Sequence, residues 1–170
     1  MPSLKNVKTK IAGVKKTKQI TKAMNMVASA KLRGAQQRIE HFRPYAEKFY
    51  EMLQQLVGKE GMGDTNPLLA DRATRKRCGI VLATSDRGLC GSFNVNIISA
   101  ALRLAAEKTN LGREVVFYCV GKKGRDAVAK SDYALAEGYN ALLGKLDFNL
   151  AHSLGTTLIN KFLSEDLDEI

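Results

Sequence analysis

The residues best suited to chemistry are concentrated in one glycine-containing loop, Thr84 to Ser92, with the sequence TSDRGLCGS. This loop follows a strand-like run and precedes a helical pattern, which is where α/β folds commonly bind ligands. Its glycines would let backbone N–H groups approach an anion such as phosphate. However, the spacing matches neither G-x-G-x-x-G nor G-x-x-x-x-G-K-[ST], so the pattern does not favour a nucleotide site.

Cys90 in the same loop could be the nucleophile of a cysteine hydrolase, presented on a strand–turn–helix elbow. Such a thiol needs a histidine base, and the only histidines are His41 and His152, neither of which is predicted at a strand end. Ser85 and Asp86 likewise lack a third partner for a triad. A small residue in a tight loop is the simpler interpretation of Cys90.

The remaining polar motifs do not predict a catalytic, cofactor or metal site. Gly121-Lys122-Lys123-Gly124 could be a phosphate turn, but the start of a helix with solvated lysines explains the same residues. No histidine, cysteine and carboxylate cluster has metal-ligand spacing. The three cysteines, an odd number without a C-x-x-C spacing, indicate a reducing compartment; Cys78 and Cys119 are expected in the core.

The basic charge of the chain belongs to one segment. The net charge is +10, and residues 1–40 contain ten basic residues but only one acidic residue. Such asymmetry predicts an acidic partner for that segment, whether nucleic acid, anionic lipid or a protein surface. No apolar run is long enough to span a membrane, and the first residues lack the pattern of a secretory signal, so direct lipid insertion is not expected.

Residues 1–57 are predicted to form one long coiled-coil helix that begins after an N-cap at Ser3. With Leu4 at heptad position a, thirteen of the sixteen a and d positions up to Leu56 are apolar. A strict seven-residue repeat is typical of a left-handed coiled coil. Pro44 falls outside the a/d positions and should bend the helix; a break at Pro44 is the main alternative.

The partner of this helix should not be a second copy of it. The e and g positions are rich in lysine and arginine and contain no acidic residue, so a parallel homodimer would oppose Lys10 to Lys15 and Arg38 to Arg43. The a/d pattern fails at Lys18, Thr21 and Asn25. This interruption either fixes register or marks a place where the outer face contacts another molecule.

The second half of the chain predicts a small parallel α/β domain of the Rossmann-like class. Residues 58–77 have the glycine, proline and asparagine content of a linker, and residues 78–170 alternate between strands and helices. Strands are expected at 79–84, 114–120 and 133–137. Helices are expected at 94–108, 122–129 and 148–164, the last capped by Asp147. Residues 168–170 look like the approach to a further strand, so the domain is expected to be truncated.

Two stretches closely resemble the gamma subunit of the rotary proton-translocating ATP synthase. They are ITKAMNMVASAKLR, from Ile20 to Arg33, and TSDRGLCGSFN, from Thr84 to Asn94; RPYA at 43–46 is also similar. The resemblance runs from Ser3 to the chain end in the family's order. It implies a non-catalytic rotor subunit of the central stalk that couples proton flow to ATP synthesis at the beta subunits. It also implies a location on the cytoplasmic face of the bacterial inner membrane, with a C-terminal helix missing.

The resemblance further implies partners and contact residues. The partners would be the alpha and beta subunits of the catalytic head, the epsilon subunit and the membrane ring of c subunits. The subunit interface would include the following residues: Lys18, Thr21, Lys22, Met24, Met26, Val27, Lys31, Arg33, Asp86, Arg87, Gly88, Leu89 and Cys90. Of these, Lys18, Lys22 and Met24 would face an acidic loop of beta, and residues 86–90 would lie close to the same region of beta. A basic coiled-coil nucleic-acid-binding protein is the alternative. Against it, the charges lie beside the apolar positions, and residues 1–40 contain no aromatic residue for base stacking.

Overall fold

The structure is a computed structural model that describes residues 3–57, 66–69, 72, 74–139 and 148–170. The chain divides into two compact units, Met1–Lys59 and Glu60–Ile170.

Over its described residues, the first unit is a single helix, α1 (Leu4–Val57). Ser3 caps its start, since the backbone N–H of Asn6 donates to Ser3 Oγ at 3.4 Å. The helix continues through Pro44, so the alternative of a break there is wrong. A proline removes one backbone donor, but on the face opposite the a/d positions the freed carbonyl can bond to water. At about 1.5 Å per residue, α1 is about 80 Å long.

Most apolar heptad positions of α1 are exposed, and only Ala46 and Leu53 among them are half-buried. The exposed fraction is 75% for Leu4, 51% for Ile11, 59% for Leu32 and 58% for Ile39. Helices of globular proteins gain most of their stability by packing an apolar face, not from intrinsic propensity. The apolar a and d positions of α1, which we call the heptad stripe, therefore form a surface suited to packing.

Over its described residues, the second unit contains three strands and three helices, and every predicted element is present with ends within two residues of expectation. In chain order these elements are β1 (Arg77–Ala83), α2 (Phe93–Asn110), β2 (Glu114–Val120), α3 (Lys122–Val128), β3 (Ala134–Tyr139) and α4 (Phe148–Leu163). The predicted cap of the last helix, Asp147, lies outside the described residues. The predicted fold class, a long helix followed by a small parallel α/β domain, is confirmed.

The sheet is parallel with the order β1-β2-β3, and Cys78 of β1 pairs with Val115 of β2. Cys78 also forms a parallel bridge with Glu169, and the N–H of Gly79 donates to the carbonyl of Glu169 at 2.8 Å. Because β2 occupies one edge of β1, residues 168–170 lie on the other edge. Strand β1 is therefore paired on both edges, with β2 on one side and with the segment 168–170 on the other.

Helices cover both faces of the sheet. One cluster, with Leu82, Phe117, Cys119 and Val128 at its centre, packs against α2 and α3. The opposite face packs Val116, Tyr118 and Leu167 against α4. Gly79 leaves space for Leu167 on this second face, because a Cβ at position 79 would lie 2.9 Å from Leu167 Cδ1 and would displace that side chain. The result is a three-layer α/β/α arrangement.

Candidate functional site

The β1–α2 loop, residues 84–92, lies at the carboxyl end of the sheet. Strand β1 pairs with β2 along one edge and with Glu169 along the other. In open α/β sheets, binding sites are usually found in the crevice at the carboxyl ends of the strands, at the point where the strand order changes direction. The loop singled out by sequence is therefore in the position where this fold exposes functional residues.

The first half of the β1–α2 loop is bound to the start of α3. The N–H of Lys122 donates to Asp86 Oδ1 at 2.8 Å, and the N–H of Gly124 donates to Thr84 Oγ1 at 2.7 Å. Between them, the N–H of Lys123 donates to the Ser85 carbonyl at 3.2 Å. A phosphate turn needs free N–H donors, and these three already have acceptors within the protein. The interpretation of residues 121–124 as a helix start agrees with this geometry.

These hydrogen bonds are possible because the backbone of the β1–α2 loop approaches the backbone at the start of α3 closely. Gly121 has φ of 99°, and a Cβ there would lie 2.1 Å from the Thr84 carbonyl oxygen. Only glycine combines that backbone conformation with that lack of space. Gly124 is similarly confined, with Thr84 Oγ1 at 2.9 Å from the position of a Cβ.

The second half of the loop is bound to α2 through Asn94, a buried polar residue that sequence reasoning did not identify as functional. Asn94 Oδ1 accepts from the N–H of Ser85 at 3.1 Å. Asn94 Nδ2 donates to Ser85 Oγ at 2.8 Å and to Cys90 Sγ at 3.1 Å. The only sequence signal was an asparagine in the first turn of a helix that follows a glycine–serine pair.

The loop tip, residues 87–90, is exposed on all four residues. Leu89 is 100% exposed and has φ of 63°, in the left-handed region that non-glycine residues rarely occupy. Asp86 differs from its neighbours because it is only partly exposed and its carboxylate is engaged by Lys122. Asp86 therefore differs in exposure and in bonding from the other predicted contact residues of the loop.

The geometry gives no support to a cysteine hydrolase. Among the described residues, the polar partners of Cys90 Sγ are Asn94 Nδ2 and, at 3.9 Å, Ser85 Oγ, neither of which is a general base. Cys78 and Cys119 are buried as predicted. Burial raises the pKa of the Cys78 thiol, and it raises that of Cys119 to about 11. Both therefore remain protonated near neutral pH.

The predicted contact residues on α1 are all exposed, but they do not form one surface. Because successive helical residues are rotated by about 100°, Lys22, Met26 and Arg33 lie on one side of the polar a/d positions. Met24, Val27 and Lys31 lie on the other side. The segment from Lys18 to Arg33 therefore offers two flanks, each containing a methionine and basic charge.

Within the described ranges, no group of three or more histidine, cysteine or carboxylate side chains could hold a metal ion. Among the same residues, no helix is both long and apolar enough to cross a bilayer.

Comparison with known proteins identifies the family. A family model described as ATP synthase matches residues 3–170. Over 170 residues, the chain is 64% identical to the ATP synthase gamma chain of Nitratidesulfovibrio vulgaris (strain Hildenborough), with all of this chain and 58% of that relative covered. The chain belongs to the ATP synthase gamma chain family.

Other members of the gamma chain family match over the same extent. The ATP synthase gamma chain of Maridesulfovibrio salexigens is 59% identical over 170 residues, and that of Chlorobium luteolum is 44% identical over 173 residues. All of this chain is covered in both alignments, which span 58% and 59% of those relatives. The chain thus spans somewhat over half the length of the gamma chains that it matches. The family resemblance of the two motifs is confirmed by these matches.

Proposed function

We propose that this protein is the central-stalk rotor subunit of a proton-translocating ATP synthase. In this role it couples proton flow through a membrane ring to ATP synthesis at the beta subunits, without catalysing bond formation itself. The proposal rests on family membership together with one structural observation, the exposed heptad stripe of α1. A helix about 80 Å long with an uncovered apolar stripe suits a shaft that is completed by other segments or subunits.

The charge on α1 supports a partner of opposite charge. Lys18, Lys22, Lys31 and Arg33 form no ion pair with any described residue, and the one ion pair within the helix is Lys48–Glu51 at 2.6 Å. Unpaired basic residues on an exposed helix attract acidic protein surfaces and accelerate encounter with them. The acidic loop of beta that the family resemblance implies has the required sign.

The contact residues predicted from the sequence are therefore proposed to form the interface with the catalytic head. The exception is Asp86, to which we assign a supporting role. On α1 we assign the two flanks of the segment from Lys18 to Arg33, and in the α/β unit the loop tip at 87–90. Asp86 supports the tip from within, because its carboxylate caps α3. The remaining proposed partners are the alpha subunit, the epsilon subunit and the c-subunit ring, with the protein peripheral on the cytoplasmic face of the inner membrane.

Reconstitution with alpha and beta subunits tests this function. We expect the protein to co-purify with them, and the double variant Lys18→Glu/Lys22→Glu to associate more slowly than the wild type, with a weaker dependence on salt. The matched control is Arg103→Glu/Lys130→Glu, which changes the net charge equally at two exposed residues outside the proposed interface. Failure of the wild type to bind alpha and beta, or equal slowing in both double variants, would contradict the proposal.

A further inference from the structure

The chain that leads into β1 is attached to the rest of the α/β unit by the side chain of Arg72. Arg72 Nη1 donates to Asp168 Oδ1 at 3.0 Å, and Arg72 Nη2 donates to the backbone carbonyl of Phe162. The guanidinium carbon also lies 4.4 Å from the centre of the Phe162 ring. These partners are 90 and 96 positions away from Arg72. One guanidinium therefore joins the chain before β1 to the end of α4 and to the segment that follows it.

Each contact of Arg72 suits a guanidinium. Phe162 belongs to the last turn of α4, where backbone carbonyls lack partners within the helix and the helix dipole attracts a cation. A guanidinium is flat, so it can stack on an aromatic ring while its edges donate N–H groups. The side chains of Arg72 and Asp168 are only 19% and 14% exposed, so water screens this ion pair less than a pair on the open surface.

Asp168 extends the attachment to the start of β1. Its second carboxylate oxygen, Oδ2, accepts from the N–H groups of Lys76 and Arg77 at 2.8 Å and 2.9 Å. The N–H of Asp168 itself donates to the Arg77 carbonyl at 2.9 Å. The same carboxylate therefore holds the chain at Arg72 and again where β1 begins. A chain that is held at both of these points cannot move as a free linker between them.

From these contacts we infer that Arg72 is a latch, so that the free connection after α1 ends at Arg72 and not at the start of β1. The sequence pattern predicted a linker that extends to residue 77. At no more than about 3.5 Å per residue, an end about five residues earlier shortens the reach of an extended connection by about 18 Å. The inference does not depend on the proposed rotor function. If that function holds, the latch reduces the slack in the connection between α1 and the α/β unit.

Native-state hydrogen exchange of the whole chain tests the latch. In Arg72→Ala we expect the amides of Lys76, Arg77 and Asp168 to exchange roughly tenfold faster than in the wild type, because a charge-assisted hydrogen bond is lost. The amides of β2 should keep their wild-type rates. Arg72→Lys retains the charge but not the flat donor, and should give intermediate rates. The matched control is Arg103→Ala, an exposed arginine of α2 without an ion pair to any described residue.

Limited trypsin digestion provides a second measurement, because Arg75 and Lys76 offer cleavage sites beside the latch in every variant. Arg72→Ala should be cut there first and faster than Arg103→Ala. Equal exchange and cleavage in these two variants would overturn the latch, and so would uniformly faster exchange in all strands, which would indicate a loss of global stability. If Arg72→Ala does not fold, the same comparison with Arg72→Lys decides. Neither measurement involves alpha or beta subunits, so the latch and the proposed function can fail separately.

Discussion

Asp86 Oδ1 accepts a hydrogen bond from the backbone N–H of Lys122 at 2.8 Å, so a loop that follows β1 caps a helix that follows β2. The two residues are 36 positions apart and meet because their parallel strands end at the same edge of the sheet. The carboxylate also lies at the positive end of the α3 dipole. This contact accounts for the lower exposure of Asp86, the only acidic residue in the loop, relative to residues 87–90.

Removal of this cap should destabilise the α/β unit. We expect Asp86→Ala to lower the free energy of unfolding by about 1 kcal/mol, because a helix N–H loses its acceptor. Asp86→Asn retains an acceptor oxygen and should cost less. Urea unfolding gives both values. Asp132→Ala, an exposed aspartate without a described ion pair, is the control and should resemble the wild type.

Truncation of Asn94 should both destabilise the unit and loosen the loop. Asn94→Ala removes the acceptor of the Ser85 N–H and the donor to Cys90 Sγ. We expect a loss of about 2 kcal/mol, because partly buried groups become unsatisfied.

A thiol-reactivity assay provides a second measurement for Asn94→Ala. Cys90 should react faster with an aromatic disulfide reagent, while Cys78 and Cys119 stay protected by burial. Asn96→Ala is the matched control, because the exposed Asn96 makes one side-chain bond, to Ser92 Oγ at 3.2 Å. An identical reaction rate in Asn94→Ala and wild type would rule out a positioning role for Asn94.

Two glycines with positive φ should respond differently to a methyl group. Gly121→Ala would place its Cβ 2.1 Å from the Thr84 carbonyl oxygen, whereas Gly112→Ala, with φ of 75°, meets nothing within 4 Å. Gly112→Ala should cost about 1 kcal/mol from backbone strain alone. Gly121→Ala should cost several times more or prevent folding, since backbone must move. Thermal unfolding compares them, and equal shifts in Tm would contradict this geometry.

The segment 168–170 should make stability sensitive to acid. The pKa of Asp168 lies below its ordinary value, chiefly because the N–H of Arg77 donates to its carboxylate at 2.9 Å. The pKa of Glu169 is also lowered, first by its hydrogen bond from Lys108. Each carboxylate is therefore more acidic in the folded state. Its stabilisation is present above the unfolded pKa of about 4 and is lost as the pH falls through the folded value.

Urea unfolding between pH 6 and pH 3 measures this loss. We expect the wild type to lose stability mainly below about pH 5, and Asp168→Asn to be less stable at pH 6 with a shallower decline. Asp132→Asn serves as the control and should follow the wild-type slope. A decline in Asp168→Asn as steep as in the wild type would mean that Asp168 does not contribute to acid sensitivity.

Local pattern in the sequence was enough to predict the elements of this fold. The heptad from Leu4 to Leu56 predicted α1, and runs such as 114–120 predicted buried strands. These properties are encoded by residues close together in the chain, because helical and strand periodicities repeat over a few positions. The motifs at 20–33 and 84–94 likewise indicated the family from sequence alone.

Contacts between distant residues were decided by tertiary structure. The sequence indicated Asp86 as a contact residue, whereas in the structure its carboxylate bonds to the start of α3. The sequence gave no sign that Asn94 would bind Cys90. Arg72 pairs with Asp168 at 3.0 Å across 96 positions, and no local pattern predicts such a partner. The physical reason is that a side chain's role depends on which strand ends and helix starts the parallel sheet brings together. Sequence therefore determined which elements form, and packing determined which of their polar groups remain free to meet a partner.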